Sequence, residues 1–354
     1  MICVSLTEKN TEQALWGLRE TSKIADLAEI RLDYMQEVDL PRLLRDRPCP
    51  VIVTNRPVRE GGKFEGNEAD RVRPLHQAID LGAEYVDIEH DAVHRIRNRK
   101  HTKLIVSYHN FQKTPKDLSH IHGKLRDSGA DIVKVAVWAH ALTDNLVVFE
   151  VLRRTDVPTI AICMGELSLI SRVLAPKFSA FLTFATLGTG PISGPGQLPA
   201  RIMRDLYHID RIDPNTRVYG LIAPALEHST LLYAFNSAFR TAHVNAVYVP
   251  FKVQENVETF IQAFRAIDIH GYTIASPYQR SLLNALDHLD HTARDRGTVD
   301  TVINRNGELH GHYTGTRDTL RLVCAQFKLW TGLEAPVHVI STTLGEAQSI
   351  EPHQ

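Results

Sequence analysis

The chain has 354 residues, 40 Lys plus Arg against 41 Asp plus Glu, and 43% hydrophobic residues. At roughly 100 to 200 residues per domain, this length predicts two domains, each able to bury a core. A formal net charge of −1 without a block of like charges argues against a surface for nucleic acid or anionic lipid, so a small-molecule ligand is expected.

Taken in chain order, short β-branched runs alternate with longer amphipathic stretches. The runs are Ile2 to Leu6, Leu27 to Leu32, Val51 to Asn55, Tyr85 to Glu89, Leu104 to Tyr108, Ile132 to Val137, Thr159 to Cys163 and Phe181 to Ala185. Predicted helices between or after them include Glu12 to Ile24, Glu68 to Leu81, Pro115 to Ser128, Asn145 to Arg154 and Pro199 to Tyr207. Eight such repeats predict an α/β fold, a (β/α)8 TIM barrel over residues 1–212. A doubly wound open sheet is the alternative, because periodicity alone does not close a barrel. The polar stretch Ile209 to Thr216 marks a boundary, and a second, smaller α/β domain is expected over 217–345. Its predicted strands are Val218 to Ile222, Ala246 to Val249, Gly271 to Ala275 and Thr298 to Ile303; its helices are Thr230 to Thr241, Val257 to Ile267, Ser281 to Leu289 and Thr316 to Trp330. The last ten or so residues read as a frayed tail. The first strand follows Met1 directly, with no basic leader, and no apolar run approaches a membrane span of about 18 to 20 residues, so the cytoplasm is the expected compartment.

Cys3, Cys49, Cys163 and Cys324 are far apart and form no Cys-x-x-Cys, which predicts reduced, buried thiols. The pairs His120-x-His122, His310-x-His312 and His288-x-x-His291 lack a third ligand at metal spacing, so no metal and no other cofactor is expected.

Barrel strands buried on both faces should be nearly continuous hydrophobic runs. This chain interrupts them with Glu29, Arg31, Asp87, Glu89 and Lys134, and places Arg56 and His109 just after two runs. Active sites of such barrels form at the C-terminal ends of the strands, where these residues fall. Two readings compete: an interior salt-bridge lattice, or a catalytic amine. A lysine between two valines in mid-strand favours the second, because burial and neighbouring cations free a neutral amine for imine chemistry. His109 on the adjacent strand then serves as proton shuttle. Arg172, expected at the start of the helix after the seventh strand, suits a substrate carboxylate. Gly188 to Gln197 forms a glycine-rich loop leading toward a helix N-terminus.

Glu29-Ile30-Arg31-Leu32-Asp33, Arg56 with Arg59 to Gly62, Ser107 to Phe111 with Thr114-Pro115, Ala130 to Ala136, Met164-Gly165 through Arg172, and Gly194 to Gln197 occur in order along the first 210 residues. Together they resemble the successive motifs of type I 3-dehydroquinate dehydratase. The resemblance implies a metal-free Schiff-base dehydration of 3-dehydroquinate to 3-dehydroshikimate in the shikimate pathway. It implies that Lys134 forms the imine, His109 moves the proton, and Glu60 orients His109. Arg172 would clamp the carboxylate, with Glu29, Arg31, Arg56, Ser193 and Gln197 holding ring hydroxyls and carboxylate, and Ser5, Asp87, Met164 and Phe184 lining the pocket. Ile162 and Ser168 depart from the family pattern, where Met and Gly are usual. Other readings are a different imine-forming lyase or aldolase, or a regulatory pseudoenzyme. A homodimer is compatible with the reading, and nothing in the residues fixes it.

Residues 218 to about 323 are similar to the substrate-binding domain of shikimate dehydrogenase, through His228-Ser229 to Asn236, Asn245 to Phe251, Gly297 to Val302 and Gly307 to Gly311. The resemblance is to a degenerate form. Gln279 stands where that family has its catalytic lysine, Gly315 where it has its aspartate, and Leu231 replaces one of two carboxylate-binding serines, of which Ser229 remains. The stretch after Val323 contains no Gly-x-Gly-x-x-Gly, so no Rossmann cofactor domain is expected. This half is therefore expected to be inactive as a dehydrogenase.

Overall fold

The computed structural model describes residues 1–188, 193–225, 230–254 and 256–350, with side chains through 346. The chain divides into two compact units, one of Met1–His140 and Val147–Met203, the other of Ala141–Leu146 and Arg204–Gln354. The boundary read from sequence, at 212–217, falls inside the second unit.

In the first unit, strands β1 (Ile2–Leu6), β2 (Leu27–Arg31), β3 (Val51–Thr54), β4 (Tyr85–Glu89), β5 (Lys103–Asn110), β6 (Ile132–Trp138), β7 (Thr159–Met164) and β8 (Thr183–Ala185) form one parallel sheet. Its order is β7-β6-β5-β4-β3-β2-β1-β8. The Phe181 N–H donates to the Thr159 carbonyl at 2.8 Å, bringing the two end strands together in a nearly closed barrel. Helices α1 (Thr11–Ile24), α2 (Leu40–Arg45), α3 (Glu68–Asp80), α4 (Leu118–Asp127), α5 (Asp144–Arg154), α6 (Leu169–Val173) and α7 (Ala200–Asp205) follow strands in turn. The connection from β4 to β5 differs from the eight regular repeats read in the sequence: it holds only a 3-10 turn, His90–Arg95.

Period two of the strands builds the interior in layers. Cys3, Leu27, Ile52, Ile105, Ile132 and Ile160 belong to one buried apolar cluster that makes the floor. Two residues further along five of those strands come Ser5, Glu29, Thr54, Ser107 and Lys134, all buried. Ser5 lies opposite Glu29, and Ser107 opposite Lys134, in the strand register. The same alternation that packs the floor therefore aims a polar layer at the C-terminal mouth.

The second unit contains β9 (Arg217–Ala223), α8 (Thr230–Thr241), β10 (Ala246–Lys252), α9 (Val257–Ala263), β11 (Ile269–Ile274), β12 (His288–Leu289), α10 (His291–Arg296), β13 (Thr301–Arg305), β14 (Glu308–His312), α11 (Thr319–Thr331) and α12 (Val337–Ile350). Its strands form a mixed sheet of order β10-β9-β11-β13-β14-β12. Tyr219, Phe235, Tyr248 and Trp330 stack in one aromatic cluster, and Phe251, Phe260, Phe264 and Tyr272 in another.

Several elements differ from the sequence reading. The helix expected over Ser281 to Leu289 is a 3-10 turn, Ser281–Ala285, followed by β12. Pairing with β14 wins there: the Asp287 N–H donates to the Leu309 carbonyl at 2.9 Å, and the Asp287 carboxylate accepts the Leu309 N–H at 2.7 Å. Strand β14 and helix α12 were not anticipated, and α12 occupies the start of the expected frayed tail. Only Cys3 and Cys163 are fully buried; Cys49 and Cys324 are partly exposed.

Candidate active site

Ion pairs fill the polar layer of the barrel, most of them connected. Lys134 Nζ lies 2.9 Å from Asp87 Oδ2 and 3.4 Å from Glu29 Oε1, and 4.3 Å from the centroid of the Phe184 ring. Glu29 accepts from Ser5 Oγ at 2.5 Å and Thr54 Oγ1 at 2.9 Å. Asp87 accepts from Ser107 Oγ at 2.6 Å and pairs with Arg56 Nη2 at 2.8 Å. Arg56 also reaches Glu89 at 2.6 Å, and Glu89 in turn pairs with the fully buried Arg71 at 2.6 Å. Arg31 makes a two-bond pair with Asp33, at 2.8 and 2.7 Å. The salt-bridge lattice expected from the sequence is present, and Lys134 is a member of it that also lines the cavity.

Burial opposes ionisation of Asp87, but the charges of Arg56 and Lys134 outweigh it and hold the carboxyl well below the usual range. Burial likewise opposes ionisation of Glu29, and Lys134, Arg31 and the Ser5 hydroxyl reverse it, so its pKa is lowered. Such groups stay charged at neutral pH.

His109 and Glu60 form a second pair, with Nδ1 2.9 Å from Oε2. His109 stacks on Phe111, ring centroids 6.4 Å apart. Gly61, at φ +75°, passes so close to the Phe111 ring that a Cβ there would overlap it. Burial, then the cations Arg56 and Lys134, push the His109 pKa well below its ordinary value. Burial pushes Glu60 up to about 8 against the pull of Arg56, with Glu89 and Asp87 adding to the rise. The two therefore titrate as a pair.

Arg172 stands apart. It is 1% exposed, and among the described residues it has no carboxylate partner; its guanidinium donates only to the carbonyls of Cys163 at 3.2 Å, Pro195 at 3.3 Å and Phe184 at 3.5 Å. Its Nε has no partner, and burial pushes its pKa down to about 10. It sits near the end of α6 rather than at a helix start, because a 3-10 turn, Glu166–Ser168, precedes that helix.

One cavity joins these groups. Lys134, His109, Glu60, Glu29, Arg31 and Arg56 line it, as do Met164, Arg172, Phe184, Ser193 and Gln197. Ser5 and Asp87, expected as lining residues, are not among them: their side chains are taken up beneath, by Glu29 and by Lys134, Ser107 and Arg56. Ser193 donates to Gln197 Oε1 at 3.1 Å; residues 189–192 of the glycine-rich loop lie outside the described residues. Sequence reasoning missed Gly61, Phe111, Ala136 and Gly194 as lining residues and Thr54 and Arg71 as supports. Thr54 carried a legible signal, since it lies two residues after inward Ile52; Arg71, on α3, carried none.

In the second unit, Gln279 donates to the Ile274 carbonyl at 3.0 Å. Gly315 has φ +74°, Leu231 is half-buried at the start of α8, and Ser229 lies outside the described residues.

A parallel eight-stranded barrel with charged groups gathered at its strand ends places the first unit among the (β/α)8 barrels. The chain belongs to the type I 3-dehydroquinase family, which it matches over residues 2–214; residues 221–302 match the shikimate dehydrogenase substrate binding domain. It is 38% identical over 313 residues to the bifunctional 3-dehydroquinate dehydratase/shikimate dehydrogenase, chloroplastic, of Arabidopsis thaliana, across 83% of this chain and 52% of that protein. The chain thus spans about half the length of that relative. It is 38% identical over 215 residues to the 3-dehydroquinate dehydratase of Methanothermobacter thermautotrophicus, covering 58% of this chain and 95% of that protein. The crystal structure of 3-dehydroquinate dehydratase from Geobacillus kaustophilus aligns with 28% identity and a TM-score of 0.53, over 58% of this chain and 88% of that one. Among the described residues, no helix is long and apolar enough to cross a membrane.

Proposed function

We propose that the barrel dehydrates 3-dehydroquinate to 3-dehydroshikimate through an imine on Lys134. Family membership supports the reaction, and the observation that carries the assignment of residues is that Lys134, His109 and the unpaired Arg172 line one cavity.

In this reading the substrate carboxylate neutralises Arg172, completing a charge balance that the free protein leaves open. Lys134 Nζ attacks the ring ketone and water leaves, giving a protonated imine. The C–H next to the imine carbon becomes acidic, because its electron pair can flow toward nitrogen. His109 removes that proton; the resulting enamine expels the β-hydroxyl, to which His109 returns a proton, so a second water departs. Hydrolysis of the product imine consumes one water and restores the amine, for a net loss of one water. Glu60 holds His109 by Nδ1 and directs Nε2 to the cavity. Glu29 and Asp87 hold Lys134 in place until the ketone arrives, while Arg31, Arg56, Ser193 and Gln197 offer bonds to hydroxyls and carboxylate. Met164 and Phe184 form the apolar walls.

The second unit, in the same reading, transfers no hydride, because Gln279 and Gly315 offer neither ammonium nor carboxylate at the positions where its family acts. Appearance of the conjugated enone absorbance when purified protein meets 3-dehydroquinate tests the proposal. No absorbance change, with 3-dehydroquinate recovered intact, would overturn it.

A further inference from the structure

Edge strand β12 pairs in parallel with β14 and sets His288 directly opposite His310. Their rings stack, centroids 4.6 Å apart at 30°. Glu308 lies two residues before His310 on the same face of β14, and its Oε2 is 3.4 Å from His288 Nε2 and 3.8 Å from His310 Nε2. One ligand atom from each of the three residues lies within 4.8 Å of the other two. None of the three histidine pairs seen in the sequence supplies this set; one member from each of two pairs, His288 and His310, converges with Glu308 through the sheet register.

The backbone beneath the three side chains is fixed from both strands. Asp287, just before His288, exchanges the two bonds with Leu309 described above, and its carboxylate also accepts from Arg265 Nη2 at 2.8 Å. Arg265 Nη1 donates to the Gly307 carbonyl at 2.8 Å. Asn306 and Gly307, at φ 56° and 95°, make the tight left-handed turn of a two-residue hairpin, so Glu308 opens β14 opposite Arg305. Rigid strands holding the first ligands near their bound positions lower the ordering cost of binding.

We propose that His288, Glu308 and His310 bind a divalent transition-metal ion, zinc by the chemistry of the donors, on the outer edge of the second unit's sheet. Two imidazoles and a carboxylate suit zinc, nickel or copper rather than the all-oxygen coordination of calcium or magnesium. Three protein ligands leave further positions for water or an exogenous ligand. The ion ties the two-residue edge strand to its neighbour and lies outside the barrel chemistry.

The test uses the untagged full chain, stripped with chelator, titrated calorimetrically with zinc chloride and spectroscopically with cobalt(II). One equivalent of zinc is expected, with cobalt visible bands displaced by zinc. Glu308→Gln and the double variant His288→Ala/His310→Ala should each weaken binding by more than about tenfold, a factor that loss of an outer-sphere partner alone can produce. His291→Ala, a highly exposed neighbour outside the group, should leave it unchanged. Circular dichroism of the metal-free variants checks the fold; if the double variant unfolds, Glu308→Gln alone decides. Unchanged zinc affinity in Glu308→Gln, or no saturable binding by the wild type, overturns the proposal.

Discussion

Replacing Arg172 with methionine should make the free protein more stable and the enzyme much worse. Among the described residues the guanidinium has no carboxylate partner, and burial lowers its pKa to about 10. At about 1.4 kcal/mol for each tenfold change in the protonation equilibrium, the drop from the ordinary guanidinium value corresponds to about 3 kcal/mol of unfavourable burial. Three bonds to carbonyls, at 3.2 to 3.5 Å, offset part of this, so Arg172→Met is expected to stabilise by about 1 to 3 kcal/mol, the scale seen when apolar groups replace buried charges. At roughly 2 to 4 °C per kcal/mol for a unit of this size, calorimetry should show the barrel's transition several degrees higher. Substrate meets the opposite balance: its carboxylate loses a buried charged partner, which costs about 2 to 5 kcal/mol. We therefore expect kcat/KM to fall by about 30-fold or more, and the thermal stabilisation that substrate gives the wild type to disappear. A variant that melts earlier while keeping the wild-type kcat/KM per folded molecule would refute the reasoning and make Arg172 a structural strut.

Lys134→Ala should abolish both turnover and the ligand mass that borohydride adds in the presence of substrate or product; an adduct mapped to Lys103 or Lys177 would move the amine elsewhere. His109→Ala should lower turnover by about 10²-fold or more while imine trapping persists, and an unchanged rate would assign the proton transfer to another group. Because burial raises Glu60 to about 8 and lowers His109, the pair holds one proton below that range and frees Nε2 as a base only when it is lost. Activity should thus rise with pH through the pair's titration, and Glu60→Gln should shift that limb to lower pH; pH–rate profiles that superimpose would contradict the coupling. The purified chain should form no NADPH from shikimate and NADP+ at any pH, and measurable formation would restore the second unit as a dehydrogenase.

The barrel was legible because period two carries over from packing to chemistry. The alternation that sets Ile132 on the floor sets Lys134 above it, and the same step connects Ile105 to Ser107 and on to His109, so inward orientation follows from counting. The paired charges were legible as residues and not as pairs, since Lys134 meets Asp87 and Glu29 across the barrel, over 47 and 105 residues of sequence. Arg71 was hidden because its role depends on where α3 lies over the strand ends. Strand β12 was read as helix because Ser281 to Leu289 has helical spacing, while the bonds from Asp287 to Leu309 that override it come from a hairpin 22 residues on.

The two units show opposite fates for buried polar groups. In the barrel, among the described residues, Arg172 has an unpartnered Nε and no carboxylate partner beside the cavity it lines; such a group is costly unless a ligand satisfies it. In the second unit, Asp300 is saturated by its own chain. It accepts from Thr301 Oγ1 at 2.7 Å, from the Thr314 N–H at 3.0 Å and from Thr314 Oγ1 at 2.6 Å. Those bonds tie Thr314 to the start of β13, so Asp300 serves as a brace. A buried carboxylate left without hydrogen-bond partners is expensive. Internal pairing of this kind removes that cost, and the aromatic clusters, built from residues outside this polar set, keep the sheet packed without it.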